Sequence, residues 1–147
     1  KLPIEGSVLL TVADKDKLDL LPLAERLSQL GFKILATENT RRFLKENRID
    51  STPVNKIYEG RPNIADAIKN REINLIINTP IGRMSVHDDS YIRMLAIQYK
   101  IPYVTTMAAA RATVDGIDAV KRKQGQPKSL QEYHAMLKAT EEQEVRV

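Results

Sequence analysis

Short apolar, β-branched runs alternate with amphipathic stretches along this chain, and that alternation narrows its possible folds more than any other feature. Ser7 to Val12 (SVLLTV) is a buried-strand pattern that breaks into Ala13 to Asp16 (ADKD), where Asp14 or Asp16 can cap a helix. Leu20, Leu23, Ala24 and Leu27 follow at i, i+3, i+4 and i+7, the stripe of a helix packed on one face. Gly31 stands where a helix end favours left-handed backbone. The βα unit then recurs. Phe32 to Ala36 reads as a second strand, Thr37 to Thr40 as a tight turn and Arg41 to Asn47 as a short helix. Pro53 to Ile57 reads as a short edge strand that tolerates its proline, followed by loop 58–63 and a helix with Ile64, Ala67 and Ile68 on one side.

Ile73 to Ile77 is the fourth strand and breaks at Asn78 to Gly82; beyond Asp88, Asp89 and Ser90 a helix carries Ile92, Leu95, Ala96 and Tyr99 at core spacing. Ile101 to Thr105 is the fifth strand, before a helix from about Met107 to Arg122. Gly125 to Pro127 interrupts the chain, and Ser129 to Glu132 offers a capping box for a last helix over 129–140, with Leu130, Tyr133, His134 and Leu137 on one face. The acidic stretch 141–147 reads as a loose tail. Strands and helices alternating at this spacing imply right-handed crossovers and a parallel sheet covered on both faces. The expected class is α/β: a three-layer α/β/α, Rossmann-like, doubly wound sheet of five strands, forming one domain over 1–147 with its core at about 3–123.

A chain of 147 residues is long enough to close such a core without staples, since at this size roughly 70% of the unfolded surface is buried. Cysteine is absent, which excludes disulfides, thiolate metal sites and thiol nucleophiles. No apolar run approaches the roughly 18 residues of a membrane span, and no signal-peptide layout opens the chain; the expected setting is cytoplasmic. The balance of 23 Lys and Arg against 19 Asp and Glu gives +4, spread along the chain instead of gathered in a nucleic-acid-binding tract. Lys1 in place of an initiator methionine suits a piece cut from a longer polypeptide.

In an open parallel sheet, ligands bind beyond the carboxyl ends of the strands. Those ends are alike here: Thr11 with Lys17 soon after, Thr37 and Thr40, Asn78 and Thr79, and Thr105 and Thr106, with Lys56 beside the third strand. Hydroxyls and backbone N–H groups donate to the oxygens of a phosphate or carboxylate, and a lysine supplies the charge. Each residue also has a plainer role. Thr40 suits the N-cap of the second helix, Asn39 suits a turn with positive φ, the lysines suit solvated surface and Thr105 and Thr106 suit ordinary strand positions. Signatures of dinucleotide binding, the P-loop, zinc proteases and serine hydrolases are missing. His134 falls on an apolar helical face, His87 in a loop, and Asp88 and Asp89 where a helix cap is expected.

Leu9 to Lys17 (LLTVADKDK), Gly31 and Phe32, Ala36 to Thr40 (ATENT), Val54 to Pro62 (VNKIYEGRP), Ile77 to Thr79 (INT) and Ile92 with Arg93 together resemble the methylglyoxal-synthase-like domain. More closely, they resemble the C-terminal allosteric domain of the carbamoyl-phosphate synthase large subunit. The resemblance runs from Pro3 to Leu137, and its most specific part is Asn-Lys-x-x-Glu-Gly-Arg-Pro over Asn55 to Pro62, followed by Ile-Asn-Thr. It implies a regulatory domain without catalysis of its own, belonging to a glutamine-hydrolysing, ATP-dependent ligase that serves pyrimidine and arginine biosynthesis.

The resemblance further implies that UMP as inhibitor and IMP as activator bind at the strand ends, with Thr11, Lys17, Thr37, Thr40, Lys56, Asn78 and Thr79 as phosphate and ribose contacts. It implies no cofactor in this domain, ATP with Mg or Mn in the parent, and as partners the rest of the large chain and a small glutaminase subunit, with neither nucleic acid nor membrane. Pro80 stands where the family has a hydroxyl residue, removing a donor, and Glu38 with Asn39 replaces a His/Gly-type pair, bringing a negative charge near the expected phosphate. Urea-cycle relatives bind N-acetylglutamate with a similar Ala-Thr-Glu-Ala-Thr turn but lack the Lys-x-x-Glu-Gly-Arg-Pro segment; Lys56 favours a nucleotide.

Two alternatives stand beside this reading. A free-standing methylglyoxal synthase eliminates phosphate from dihydroxyacetone phosphate with one aspartate in a Gly-Gly-Asp loop and another in a Trp-Asp-Pro segment. Arg61 and Pro80-Ile81 occupy those places, leaving no base for the carbon-bound proton. The other alternative is an interaction domain that has lost its pocket and only bridges subunits.

Overall fold

The computed structural model describes residues 2–80 and 86–125; the helix expected over 129–140 and the tail lie outside them. The chain divides into two compact units, Lys1–Val114 and Asp115–Val147, and the core and site below lie in the first. The elements are β1 (Ser7–Thr11), a 3-10 turn (Asp14–Asp16), α1 (Lys17–Gln29), β2 (Lys33–Ala36), α2 (Glu38–Glu46), β3 (Thr52–Pro53), a second 3-10 turn (Ile57–Glu59), α3 (Ile64–Lys69), β4 (Leu75–Asn78), α4 (Val86–Gln98), β5 (Tyr103–Val104) and α5 (Met107–Gly125).

The five strands are all parallel, in the order β3-β2-β1-β4-β5. Winding proceeds outward from β1 to β3, then crosses back to β4 and on to β5. Right-handed crossovers therefore set α1 and α2 on one face and α3 and α4 on the other. Because strand side chains alternate, Leu9, Leu35 and Ile76 join Ile64, Ile68, Ile92, Leu95 and Ala96 in one cluster. Val8, Leu10, Ile34, Leu75 and Ile77 are buried on the opposite face, and α1 buries Leu20, Leu23, Ala24 and Leu27, the four positions that its spacing predicts. Each fully buried Leu or Ile contributes about 1.5–3 kcal/mol.

Several local expectations change. Neither Asp14 nor Asp16 caps α1 through its side chain; the segment coils into the 3-10 turn instead. Thr37 is the extended residue before α2, and its carbonyl accepts the Arg41 N–H at 2.8 Å. The helix therefore begins at Glu38, which puts Asn39 and Thr40 within it and removes both the turn and the Thr40 cap. Left-handed residues follow four of the helices: Gly31 (φ 95°) past α1, and Arg48, Arg71 and Lys100 (φ 62°, 58° and 58°) past α2, α3 and α4. The outer strands β3 and β5 are two residues long, shorter than their apolar runs suggest, and each pairs with a single neighbour. Helix α4 starts at Val86, so Asp88 and Asp89 lie in its first turn and not ahead of it.

Gly6 has a specific reason to be glycine. Its φ is 115°, and a Cβ there would lie 2.1 Å from Asn74 Oδ1. That same oxygen accepts the Ser7 N–H at 2.9 Å, fixing the entry of β1 beside β4.

Candidate functional site

The reversal of winding falls between β1 and β4, where Thr11 and Asn78 are register partners at the carboxyl ends of their strands. Five of the residues expected from sequence gather here, and all are buried: Thr11, Thr37, Thr40, Asn78 and Thr79. The Thr37 hydroxyl lies 3.4 Å from that of Thr11. Thr40 Oγ1 accepts the Val12 N–H at 3.2 Å, and Thr79 Oγ1 accepts the Ala13 N–H at 2.7 Å. The Thr79 N–H returns to the Thr11 carbonyl at 3.0 Å. A threonine hydroxyl that accepts a backbone N–H keeps its own proton for another partner. The cluster thus holds the β1 loop in place and still presents O–H donors.

The two lysines are placed differently. Lys17 opens α1, its side chain is 12% exposed, and its ammonium pairs with the almost fully exposed carboxylate of Asp14. That ammonium holds the Asp14 carboxyl below its usual range. Lys56 lies beyond β3, where its N–H donates to Glu59 Oε1 at 2.7 Å and its Nζ sits 5.9 Å from the Tyr58 ring centre; its contacts are local. Glu38, the unexpected anion, ion-pairs with Arg41 at 3.2 Å and Arg42 at 3.5 Å, which offsets its charge. Thr106 accepts the Ala109 N–H at 3.1 Å, a cap for α5.

The Glu-Gly-Arg-Pro segment builds the entry to α3. Asn63 caps it by accepting from Ala65 N–H (2.9 Å) and Asp66 N–H (3.3 Å), while Asp66 accepts the Asn63 N–H at 2.8 Å. Arg61 donates to Asp66 at 2.7 Å. That hydrogen bond, with the Asn63 N–H, lowers the Asp66 carboxyl, and Asp66 raises Arg61 in turn.

Sequence reasoning missed a group around Asn78. Its Nδ2 donates to Asp89 Oδ1 at 3.1 Å and to Tyr103 Oη at 2.8 Å. The Arg93 guanidinium lies 5.6 Å from the Tyr103 ring centre. Burial pushes the Tyr103 phenol up, partly countered by the Asn78 hydrogen bond. Asp89, which the sequence places only where a helix cap is expected, is thus a carboxylate held at the end of β4 through Asn78. Among the described residues no three His, Asp or Glu side chains are grouped to hold a metal, and no helix is long and apolar enough to cross a membrane.

These features define a doubly wound α/β domain whose buried polar groups gather at the switch point of its sheet. Within that class the chain belongs to the MGS-like domain family, whose model matches residues 19–105. It is 48% identical over 124 residues to the carbamoyl phosphate synthase large chain, C-terminal section, of Methanopyrus kandleri, which covers 84% of this chain and 23% of that protein. It is 47% identical over 135 residues to the carbamoyl phosphate synthase large chain of Archaeoglobus fulgidus, covering 91% of this chain and 12% of that one. The chain therefore spans less than a quarter of the length of these relatives. The crystal structure of methylglyoxal synthase from Elizabethkingia anophelis superposes with a TM-score of 0.62 at 19% identity, over 77% of this chain and 79% of that one, a likeness of fold.

Proposed function

We propose that the chain is the allosteric domain of a carbamoyl-phosphate synthase large chain and binds a small anionic effector, a nucleoside monophosphate of the UMP or IMP type, at the carboxyl ends of its strands. The observation that carries this reading is the gathering of five buried polar side chains, Thr11, Thr37, Thr40, Asn78 and Thr79, at the reversal of strand order. A fold gains little by burying five polar groups unless they serve each other or a ligand. Their hydroxyl protons and the Lys17 ammonium match the oxygens and charge of a phosphate, and Lys56 extends the same role on the β3 side. In the parent, the effector acts through unequal affinity for two states of the catalytic part. The domain performs no chemistry itself; the rest of the large chain and a glutaminase subunit are its partners.

A thermal-shift and calorimetric series with UMP, IMP, phosphoribosyl pyrophosphate, N-acetylglutamate and inorganic phosphate tests the reading. The nucleotides are expected to stabilise the protein, and binding is expected to weaken in Lys56→Ala and Thr40→Ala; unchanged binding in both variants would remove these residues from the site. Asp89 beside Asn78 favours one second reading, a phosphate-eliminating lyase with that carboxylate as base. Formation of methylglyoxal from dihydroxyacetone phosphate would establish it and end the regulatory one.

A further inference from the structure

We infer that the hollow between α2 and the segment leading into β3 is a second anion site, separate from the strand ends, which seats a small tetrahedral oxyanion of the phosphate or sulfate class on Arg41, Lys45 and the Ser51 hydroxyl. No residue of this hollow belongs to the strand-end group, so the site is independent of the effector-binding reading.

Ser51 Oγ is shut off from solvent and, among the described residues, finds no hydrogen-bond partner. Buried polar groups in folded proteins are nearly always paired, so an orphaned one points to a water or an ion that completes it. The local course of the chain explains how the hydroxyl comes to be there. Arg48, left-handed at φ 62°, reverses the chain after α2, and the Ile49 N–H returns to the Leu44 carbonyl at 2.9 Å. Residues 49–51 are thereby laid along α2, and with Arg41 and Lys45 they border a hollow of about 170 Å³. That is room for several waters, at about 30 Å³ each, or for one small oxyanion. It falls below the roughly 300–1,000 Å³ of pockets that enclose drug-sized molecules.

Charge decides between water and an anion. Arg41 and Lys45 lie one turn apart on α2, so both cations stand on the same side of the helix. Two of the five guanidinium N–H groups of Arg41 go to Glu38 Oε1, at 3.3 and 3.2 Å, and the others remain to give. Lys45 adds an ammonium and Ser51 a hydroxyl proton. A water carries no charge to answer two cations, whereas a tetrahedral oxyanion accepts from all three groups at once. The Ser51 hydroxyl meets it by turning about the Cα–Cβ bond from one staggered well to another. Asp50, exposed on the border of the same hollow, opposes the anion and keeps its binding modest.

NMR titration of the whole chain with sodium phosphate, against sodium chloride at matched ionic strength, tests the site. The backbone N–H signals of Lys45 and Ser51 should follow a saturating curve with phosphate, reproduced by sulfate and absent with chloride. Affinity should fall about five- to tenfold in Lys45→Met and about three- to tenfold in Ser51→Ala, the scale of one lost hydrogen bond. It should rise about two- to fivefold in Asp50→Asn. Signals that drift equally in phosphate and chloride overturn the inference, as does one affinity shared by the unmodified protein, Lys45→Met and Ser51→Ala. In the absence of phosphate, Ser51→Ala should unfold at a urea concentration no lower than the unmodified protein, because it removes an unpaired hydroxyl and no bond. A clearly lowered midpoint would show that the hydroxyl already has a partner within the protein, and the site would lose its basis. The effector reading is judged from other signals, those of Thr40 and Thr79 on addition of UMP, so each reading fails separately.

Discussion

The Ala13 amide donates to the Thr79 hydroxyl across 2.7 Å, joining two residues 66 positions apart in sequence. Since the Thr79 N–H returns to the Thr11 carbonyl, the segment after β1 and the residue after β4 hold each other by a reciprocal pair of bonds. Thr79 is 1% exposed, so water cannot replace what its hydroxyl supplies.

Thr79→Val keeps the shape and removes the acceptor, leaving the Ala13 N–H buried and unpaired. Urea unfolding should show a loss of about 1–3 kcal/mol, and Thr79→Ser, which restores the oxygen, should recover most of it. Recovery absent in the serine variant would mean that the methyl, not the hydroxyl, matters.

Asp14 competes with any anion for Lys17. Asp14→Asn should therefore tighten the binding of phosphate or UMP by about two- to fivefold, the scale of an exposed ion pair, whereas Lys17→Met should weaken it. Calorimetry at low salt reads both; identical affinities in all three proteins would take Lys17 out of the site.

Gly6→Ala meets two penalties together, a backbone at φ 115° and a new methyl 2.1 Å from Asn74 Oδ1. The expected destabilisation exceeds about 1 kcal/mol, measured as a lower urea midpoint at unchanged slope. Arg48 sits at the opposite kind of position, left-handed at 62° without need of its side chain's shape. There glycine relieves strain, and Arg48→Gly should gain about 0.5–1 kcal/mol after its own entropy is counted.

The Asp66 carboxyl is held below its usual value of 3.8 by Arg61 and the Asn63 N–H. A carboxyl depressed in the folded state adds stability above its unfolded pKa, and that contribution disappears as pH falls through the lower, folded value. Asp66→Asn should accordingly lower the thermal midpoint at neutral pH and make the decline between about pH 5 and pH 3 shallower. A parallel decline in both proteins would show that Asp66 is not the group titrating.

Much of the fold was legible because its signals are local. Leu20, Leu23, Ala24 and Leu27 repeat with the period of a helix face, and each is buried. The alternating class followed from repeats of the same kind, and the strand ends could be counted off one by one. Thr37 and Thr40 show where local signals mislead: either can precede a helix, and only the pairing of Ala36 with β1 and β3 decides that Thr37 does. Asn78, Asp89 and Tyr103 were illegible as a group. They are 11 and 25 residues apart and meet only because β4, α4 and β5 pack side by side, which no periodicity within one element encodes. Asp89 looked like a cap because aspartate near a helix start usually is one.

The brevity of β3 and β5 limits what the two borders of the sheet can offer to another stretch of chain. With two residues each, one of them Pro53, which has no N–H to offer, they give an intruding chain almost nothing to zip onto. A neighbouring module, or a half-synthesised stretch of the same polypeptide, is thereby denied lateral strand addition. Among the described residues, contact with another body of protein is left to helix faces and loops.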